Sequence, residues 1–304
     1  MQNSSTKLLP KVLVIAHDAG AAEIIGAYVK KQSERFDFHC YVAGPARIIF
    51  RRLKISSRKI SPDKKEITRI IRSHADVKFV LLGTGWMTRV EFDALIEAKN
   101  FGLKTVVYLE SWVNYRERFG YPEKKWQKNL PDEIWVGDKY AFVMAKKYFP
   151  NTEIKFVTNQ YFLAVVKQYR ALRSLHKKDR GILFLSDVAV GVESALETIL
   201  VFLAEKKRPS SLLIRFHPAD DRTRYDVLIK KYSEWVHIEK STQKDIVRDL
   251  LRAKVVIGTE TVAMVGAVLS GITTISIATI GKKPQLPFAE IIRIRRANDI
   301  ANLI

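Results

Sequence analysis

AKVVIGTETVAMVGAVLSGITTISI, residues Ala253 to Ile277, decides the fold. It reads as an apolar strand, a polar loop of Thr259, Glu260 and Thr261, a helix-length apolar stretch and a second apolar strand. Strand, helix and strand in that order form the crossover unit of a parallel sheet covered on both faces. Upstream, SLLIRFHPADD (Ser211 to Asp221) is another apolar run, and it ends in His217-Pro218. In an open α/β sheet, ligands bind outside the carboxyl ends of the strands. Both segments place polar residues at that edge, so together they predict one nucleotide pocket.

The same alternation extends outward in two series. The first comprises KVLVIAH (Lys11 to His17), FDFHCYVA (Phe36 to Ala43), KFVLLG (Lys78 to Gly83), KTVVYLE (Lys104 to Glu110), EIWVG (Glu133 to Gly137) and EIKFV (Glu153 to Val157). The second comprises GILFLS (Gly181 to Ser186), SLLIRF, KVVIG and ITTISI. Amphipathic segments of helix length separate the runs, which is the pattern of a doubly covered parallel sheet. The fold expected is α/β, with two Rossmann-like domains whose parallel sheets face a central cleft. The boundary falls in the basic stretch Lys177 to Arg180, giving one Rossmann-like domain over 1–177 and a second over 178–292. Residues 293–304, RIRRANDIANLI, are expected to form a helix returning to the first domain.

Residue chemistry assigns roles within each half. Pro218 biases His217 toward an extended conformation at the strand end, where its ring can give a charge-assisted hydrogen bond to a phosphate oxygen. A helix opening near Thr261 aims unpaired N–H groups at an anion, and its hydroxyl either caps the helix or donates to phosphate. Ser186 and Asp187 end the first strand of this half and are candidates for contacts near the donor.

In the first half, His17-Asp18-Ala19-Gly20 ends a strand and opens a helical pattern. Asp18 fits either a carboxylate meeting an acceptor hydroxyl or a helix cap. Gly20 admits close backbone approach. GTGWMTRVEFDA (Gly83 to Ala94) and LESWVNYRERFG (Leu109 to Gly120) converge on the same edge and offer Trp86, Glu110, Trp112, Asn114, Tyr115 and Arg116 for sugar stacking and hydrogen bonding, with loop packing an equal account of Trp112 and Tyr115.

The pairing of His217-Pro218 with the Thr259–Thr261 turn resembles the donor half of bacterial GT-B glycosyltransferases of surface-carbohydrate biosynthesis, sialyltransferase-like and Kdo-transferase-like enzymes using CMP-activated acidic sugars. The resemblance covers the second half, and the first only by architecture. It implies that His217 and Pro218, then Thr259 and Thr261, hold the donor phosphate, with Glu260 between them. It also implies a general base opposite that phosphate: Asp18, with Glu110 in reserve. No Asp-x-Asp pair is present to hold a divalent ion on a diphosphate, so a reaction without metal or other cofactor is expected. The acidic pair followed by glycine that supplies the base in several sialyltransferases is also absent.

Composition narrows the remaining classes. With 304 residues, 47% hydrophobic, the chain builds two ordinary cores. Its single cysteine, Cys40, excludes an internal disulfide framework and a multi-cysteine zinc site, and its strand context predicts a buried, inert thiol. A formal charge of +20 favours anionic partners, namely acidic donors, the anionic lipid head groups of an inner membrane face, or nucleic acid, while the resemblance implies a nucleotide-sugar donor and a glycan or glycolipid acceptor. The basic residues match no nucleic-acid reading motif, so no specific nucleic-acid partner is expected. The absence of a spanning run or a secretory core in MQNSSTKLLP predicts a cytoplasmic protein, free or peripheral on the membrane. Two other functions fit the same architecture: a UDP-N-acetylglucosamine 2-epimerase acting on the donor itself, and a noncatalytic nucleotide-sugar-binding scaffold.

Overall fold

The structure, a computed structural model, describes residues 8–85, 88–175, 181–188, 190–205, 210–277, 285–294 and 298–301. The chain forms two compact units, Met1–Tyr161 and Phe162–Ile304.

The first unit holds a sheet of seven described strands: β1 (Lys11–Ala16), β2 (Asp37–Val42), β3 (Arg58–Lys59), β4 (Phe79–Leu82), β5 (Thr105–Leu109), β6 (Glu133–Val136) and β7 (Glu153–Phe156). All pairings are parallel, and the strand order is β3-β2-β1-β4-β5-β6-β7. The crossovers carry α1 (Ala19–Gln32), α2 (Ala46–Arg52), α3 (Lys64–Arg72), α4 (Val90–Asn100) and α5 (Lys139–Tyr148). Helices on both faces explain why Val12 to Ala16 and Phe79 to Leu82 are buried without alternation. Cys40 is buried among them, and burial pushes its thiol up to about 12, the inert state expected of it.

The second unit repeats the plan with β8 (Gly181–Leu185), β9 (Ser210–Arg215), β10 (Val236–Lys240), β11 (Ala253–Gly258), β12 (Thr273–Ile277) and β13 (Ile292–Ile294), again all parallel, in the order β10-β9-β8-β11-β12-β13. Its helices are α6 (Gln160–Arg173), α7 (Val192–Ala204), α8 (Asp226–Tyr232), α9 (Ile246–Leu250), α10 (Ala263–Leu269) and α11 (Asn298–Ala301). Each sheet reverses its winding direction beside its first strand, between β1 and β4 and between β8 and β11. Ligands of doubly wound sheets collect at that reversal.

Three details depart from the sequence reading. The division between units falls in the first turn of α6, whereas the sequence places the boundary at the far end of that helix; residues 177–180 lie outside the described residues. The C-terminal segment supplies β13 to the second sheet, and Ile300 of α11 is buried in the second unit's own core, so the segment expected to brace the first domain packs on the unit it belongs to. The edge strands β3, β10 and β13 lack the continuous apolar run that marks the central ones. No described helix is long and apolar enough to cross a membrane.

Candidate functional site

At the winding reversal of the first unit, Asp18 sits at the N-cap of α1 in extended conformation, yet its side chain makes no capping hydrogen bond. Its Oδ1 instead accepts from His17 Nδ1 at 2.7 Å. A carboxylate oxygen only accepts, so Nδ1 carries a proton, and in the tautomer with no second ring proton Nε2 is an acceptor. The His17 and Asp18 side chains are 13% and 17% exposed. Gly44, with φ +47°, lies against the ring, and a Cβ there would fall 2.5 Å from Nε2. Glycine thus both permits this turn and lets the backbone approach the ring closely.

Behind the pair stands Glu91, in the first turn of α4 and 2% exposed. Its Oε1 accepts the His17 N–H at 2.7 Å and the Asp18 N–H at 3.4 Å. Its Oε2 is buried with no hydrogen-bond partner among the described residues. Burial above all, then the charge of Asp18, pushes the Glu91 carboxyl up to about 8.

Glu110 ends β5 in a closed cluster. Oε2 accepts from the Thr84 hydroxyl at 2.5 Å and Oε1 from Arg118 at 2.5 Å, an ion pair with side chains 8% and 6% exposed. Arg118 also donates to the Thr84 hydroxyl and carbonyl. Both oxygens of Glu110 are therefore committed, and the residue anchors the ends of β4 and β5 rather than standing in reserve as a base. A Cβ at Gly20 would come 3.4 Å from the Glu110 side chain, which sets the start of α1 beside this cluster.

The remaining first-unit candidates split. Trp112, Asn114, Tyr115 and Arg116 line one pocket of about 260 Å³ with Met144 and Tyr148. Trp112 is buried, its indole donating to Asp138 at 2.9 Å, and Asp138 caps α5 through the Ala141 N–H at 2.8 Å. Trp112 thus belongs to the pocket wall. Arg116 lies over the Tyr121 ring at 4.2 Å, and Asn114 turns the chain with φ +56°. Trp86 lies outside the described residues.

In the second unit, His217 leaves β9 and is partly buried. Its Nδ1 accepts the Ala219 N–H at 3.2 Å, which places the ring proton on Nε2. Its own N–H donates to Ser186 Oγ at 2.8 Å. Ser186 in turn donates to Asp220 Oδ2 at 2.7 Å, and Tyr225 donates to the same oxygen at 2.6 Å. Arg224 completes the group, donating to Asp220 Oδ1 at 3.2 Å and pairing with Glu193. Pro218 is exposed. Asp187 accepts the Val188 N–H at 2.7 Å and shapes its own loop.

Thr259 and Thr261 flank the end of β11. Thr259 Oγ1 is buried with no hydrogen-bond partner among the described residues. The helix opens slightly later than expected, at Ala263 with Val262 at the N-cap, so Thr261 contributes only its carbonyl, to the Met264 N–H at 3.0 Å. Glu260 adopts φ +78° and turns its carboxylate onto its own chain, accepting from the N–H groups of Gln285 and Leu286 at 3.1 and 2.7 Å and from Arg293 at 3.0 Å. It holds the segment leading into β13.

Glu91, Arg118, Asp220 and Tyr225 were not legible as site residues in the sequence. The one available signal was position: Glu91, Arg118 and Asp220 each lie inside a segment singled out at a strand end.

No protein-family model matches the chain, and no curated protein sequence does either. Solved structures match it over most of its length. The UDP-GlcNAc 2-epimerase of Methanocaldococcus jannaschii superposes with a TM-score of 0.68 at 12% identity, covering 96% of this chain and 91% of that one. The chain has a GT-B-like fold. HepE of Anabaena in complex with UDP-glucose gives 0.65 at 10% identity, over 96% and 88% of the two chains. A UDP-glucosyltransferase of Polygonum tinctorium gives 0.57 at 12% identity, over 98% and 89%.

Proposed function

We propose that the protein is a glycosyltransferase that moves a sugar from a nucleotide-sugar donor to a hydroxyl of a glycan or glycolipid acceptor. The observation that carries the reading is the opposite proton polarity of its two strand-end histidines: His17 presents an acceptor nitrogen and His217 a donor nitrogen. Sugar transfer calls for a proton acceptor and for a donor to phosphate, and each unit by itself carries one of these chemistries. His17 Nε2 takes the proton of the attacking hydroxyl, whose oxygen bonds to the anomeric carbon while the carbon–phosphate oxygen bond breaks. The electron pair leaves on the nucleotide phosphate, which His217 Nε2–H and the Thr259 hydroxyl stabilise by hydrogen bonding. Asp18, expected from the sequence as the base, orients His17 and stabilises its charged form, in the manner of the carboxylate of a catalytic triad.

The +20 charge supports an acidic donor, including the CMP-activated sugars suggested by His217-Pro218, while the UDP ligands named in the similar structures favour a uridine nucleotide. A thermal-shift series of CMP, CDP, UDP, GDP and their sugars tests this directly, because a ligand that binds only the native state raises its melting temperature. One nucleotide should stabilise the protein well above the others; no response to any of them would remove the donor site. The similarity to the 2-epimerase fold supports a second reading, in which the donor sugar itself is altered. Product analysis separates the two: free nucleotide with a glycosylated acceptor, against an altered sugar and no acceptor requirement. Nucleotide binding without turnover would leave a scaffold.

A further inference from the structure

We propose that Glu91 is the positioning residue of the His17–Asp18 pair and that it works as a neutral, protonated carboxyl whose ionisation disables the turn. The inference deepens the proposed function by adding an alkaline limit to that site, although its structural core is independent of any activity.

Three carboxyls meet at the ends of β1, β4 and β5. Glu110 has Arg118 as its cation, and Asp18 has the Nδ1–H of His17. Glu91 has no ion-pair partner among the described residues, and the charged groups facing it are Asp18 and Glu110, both of which oppose its ionisation. Its own helix offers no relief, because Asp93 on α4 is paired with Arg89.

The hydrogen bonds assign the proton. Oε1 accepts two backbone N–H groups, from His17 and Asp18, so the proton belongs on Oε2, the oxygen without a partner. Gly85 faces that oxygen, and a Cβ there would run into it. A buried carboxyl in this state is neutral, accepting at Oε1 as an amide oxygen would and carrying its proton on the unpartnered Oε2. Ionised, it becomes an uncompensated buried charge, the most expensive state such a group can take. Moving Glu91 toward water would take Oε1 away from the two N–H groups that define the turn, and with it the alignment of His17 on Asp18.

The pH dependence follows with a definite sign. A carboxyl whose native pKa lies near 8 instead of 4.5 contributes stability that is present at low pH and is lost as pH rises through the native value. Glu91→Gln imitates the neutral form and carries no such dependence.

The test is a melting series from pH 5 to pH 9.5 on wild type and Glu91→Gln, together with a carbon-13 titration of the wild-type glutamate carboxyls. The variant should match wild type at low pH and exceed it at pH 9.5 by at least about 5 °C, and one wild-type carboxyl, absent from the variant, should titrate near 8. Parallel melting curves, or a Glu91 signal titrating in the ordinary carboxylate range, would overturn the proposal. If Glu91→Gln fails to fold, the wild-type titration decides alone. Where transferase activity is found, the alkaline limb of its pH profile should move upward in the variant. Failure to find any activity would sink the proposed function while leaving the titration result standing.

Discussion

The turn after β1 and the turn after β9 each set a histidine at the carboxyl edge of a parallel sheet, the first beside the winding reversal and the second one strand away from it, and give it opposite chemistry. His17 donates from Nδ1 to Asp18, whereas His217 accepts at Nδ1 from the Ala219 N–H. A single neighbour therefore turns one ring into a proton acceptor and the other into a proton donor. The carboxyls behind the two turns differ as well. Asp220 receives bonds from Ser186, Tyr225 and Arg224, so both its oxygens are satisfied, while Glu91 keeps one oxygen bare. The second turn is built as a closed polar network, which is rigid because every member is paired. The first is built on a neutral acid, which is stable only while it stays neutral.

The largest effect tests the charge balance behind the first turn. Arg118→Met leaves Glu110 buried without its cation and should lower the stability of the first unit by about 3–5 kcal/mol, read from urea unfolding. A loss near zero would mean that Glu110 finds another partner, and that Glu91 is less isolated than the geometry implies.

Next comes the tautomer itself. Asp18→Asn keeps the size of the side chain but removes the negative charge that stabilises a protonated His17, and its amide N–H can face Nδ1 and move the ring proton to Nε2, so turnover should fall about 10²-fold or more while nucleotide affinity, measured by calorimetry, is unchanged. Full activity in this variant would return His17 to a structural role and erase the contrast between the two turns.

The donor side should respond in the reverse way. His217→Ala should weaken nucleotide binding by roughly 1.5–3 kcal/mol, the scale of a hydrogen bond to a charged group, with little change in melting temperature. His217→Gln, which retains an amide donor near the position of Nε2, should recover part of the loss. Equal binding by wild type and the Ala variant would take His217 out of the site.

The smallest effect expected is indirect. Asp220→Asn keeps an acceptor for Ser186 or Tyr225 but not the charge that faces Arg224, and should cost about 1–2 kcal/mol of second-unit stability in urea unfolding. Nucleotide affinity should fall less than in His217→Ala, since Asp220 reaches the ligand only through Ser186 and the His217 N–H. A larger loss of affinity than of stability would identify Asp220 as a direct ligand.

How much of this was legible depends on whether a residue's role is fixed by its own segment. The central strands were visible because burial on both faces demands unbroken apolar runs, as in Val12 to Ile15 and Val255 to Ile257. Where such a run stops, the next polar residue stands at the carboxyl edge, which is why His17, Asp18, Ser186 and His217 could be named from one dimension. The edge strand β7 was visible, but β3, β10 and β13 were not: β10 is VHIEK, with polar residues along half its length. Glu260 was visible as an edge residue but not in its task, because its partners arrive from Gln285, Leu286 and Arg293.

By itself, then, the sequence determined the layered α/β plan, the repetition of that plan and the edge at which polar chemistry gathers, since each follows from local periodicity and from the end of an apolar run. Only the tertiary structure decided what that chemistry is. Along the chain Glu91 is one of two acids in the first turn of a helix, with nothing local to set it apart. The fold carries Glu91 to the N–H of His17, in a strand far away in sequence, and encloses it beside two other acids. Protonation and tautomer are set by what surrounds a group in space, and those neighbours are brought together only when the sheets close.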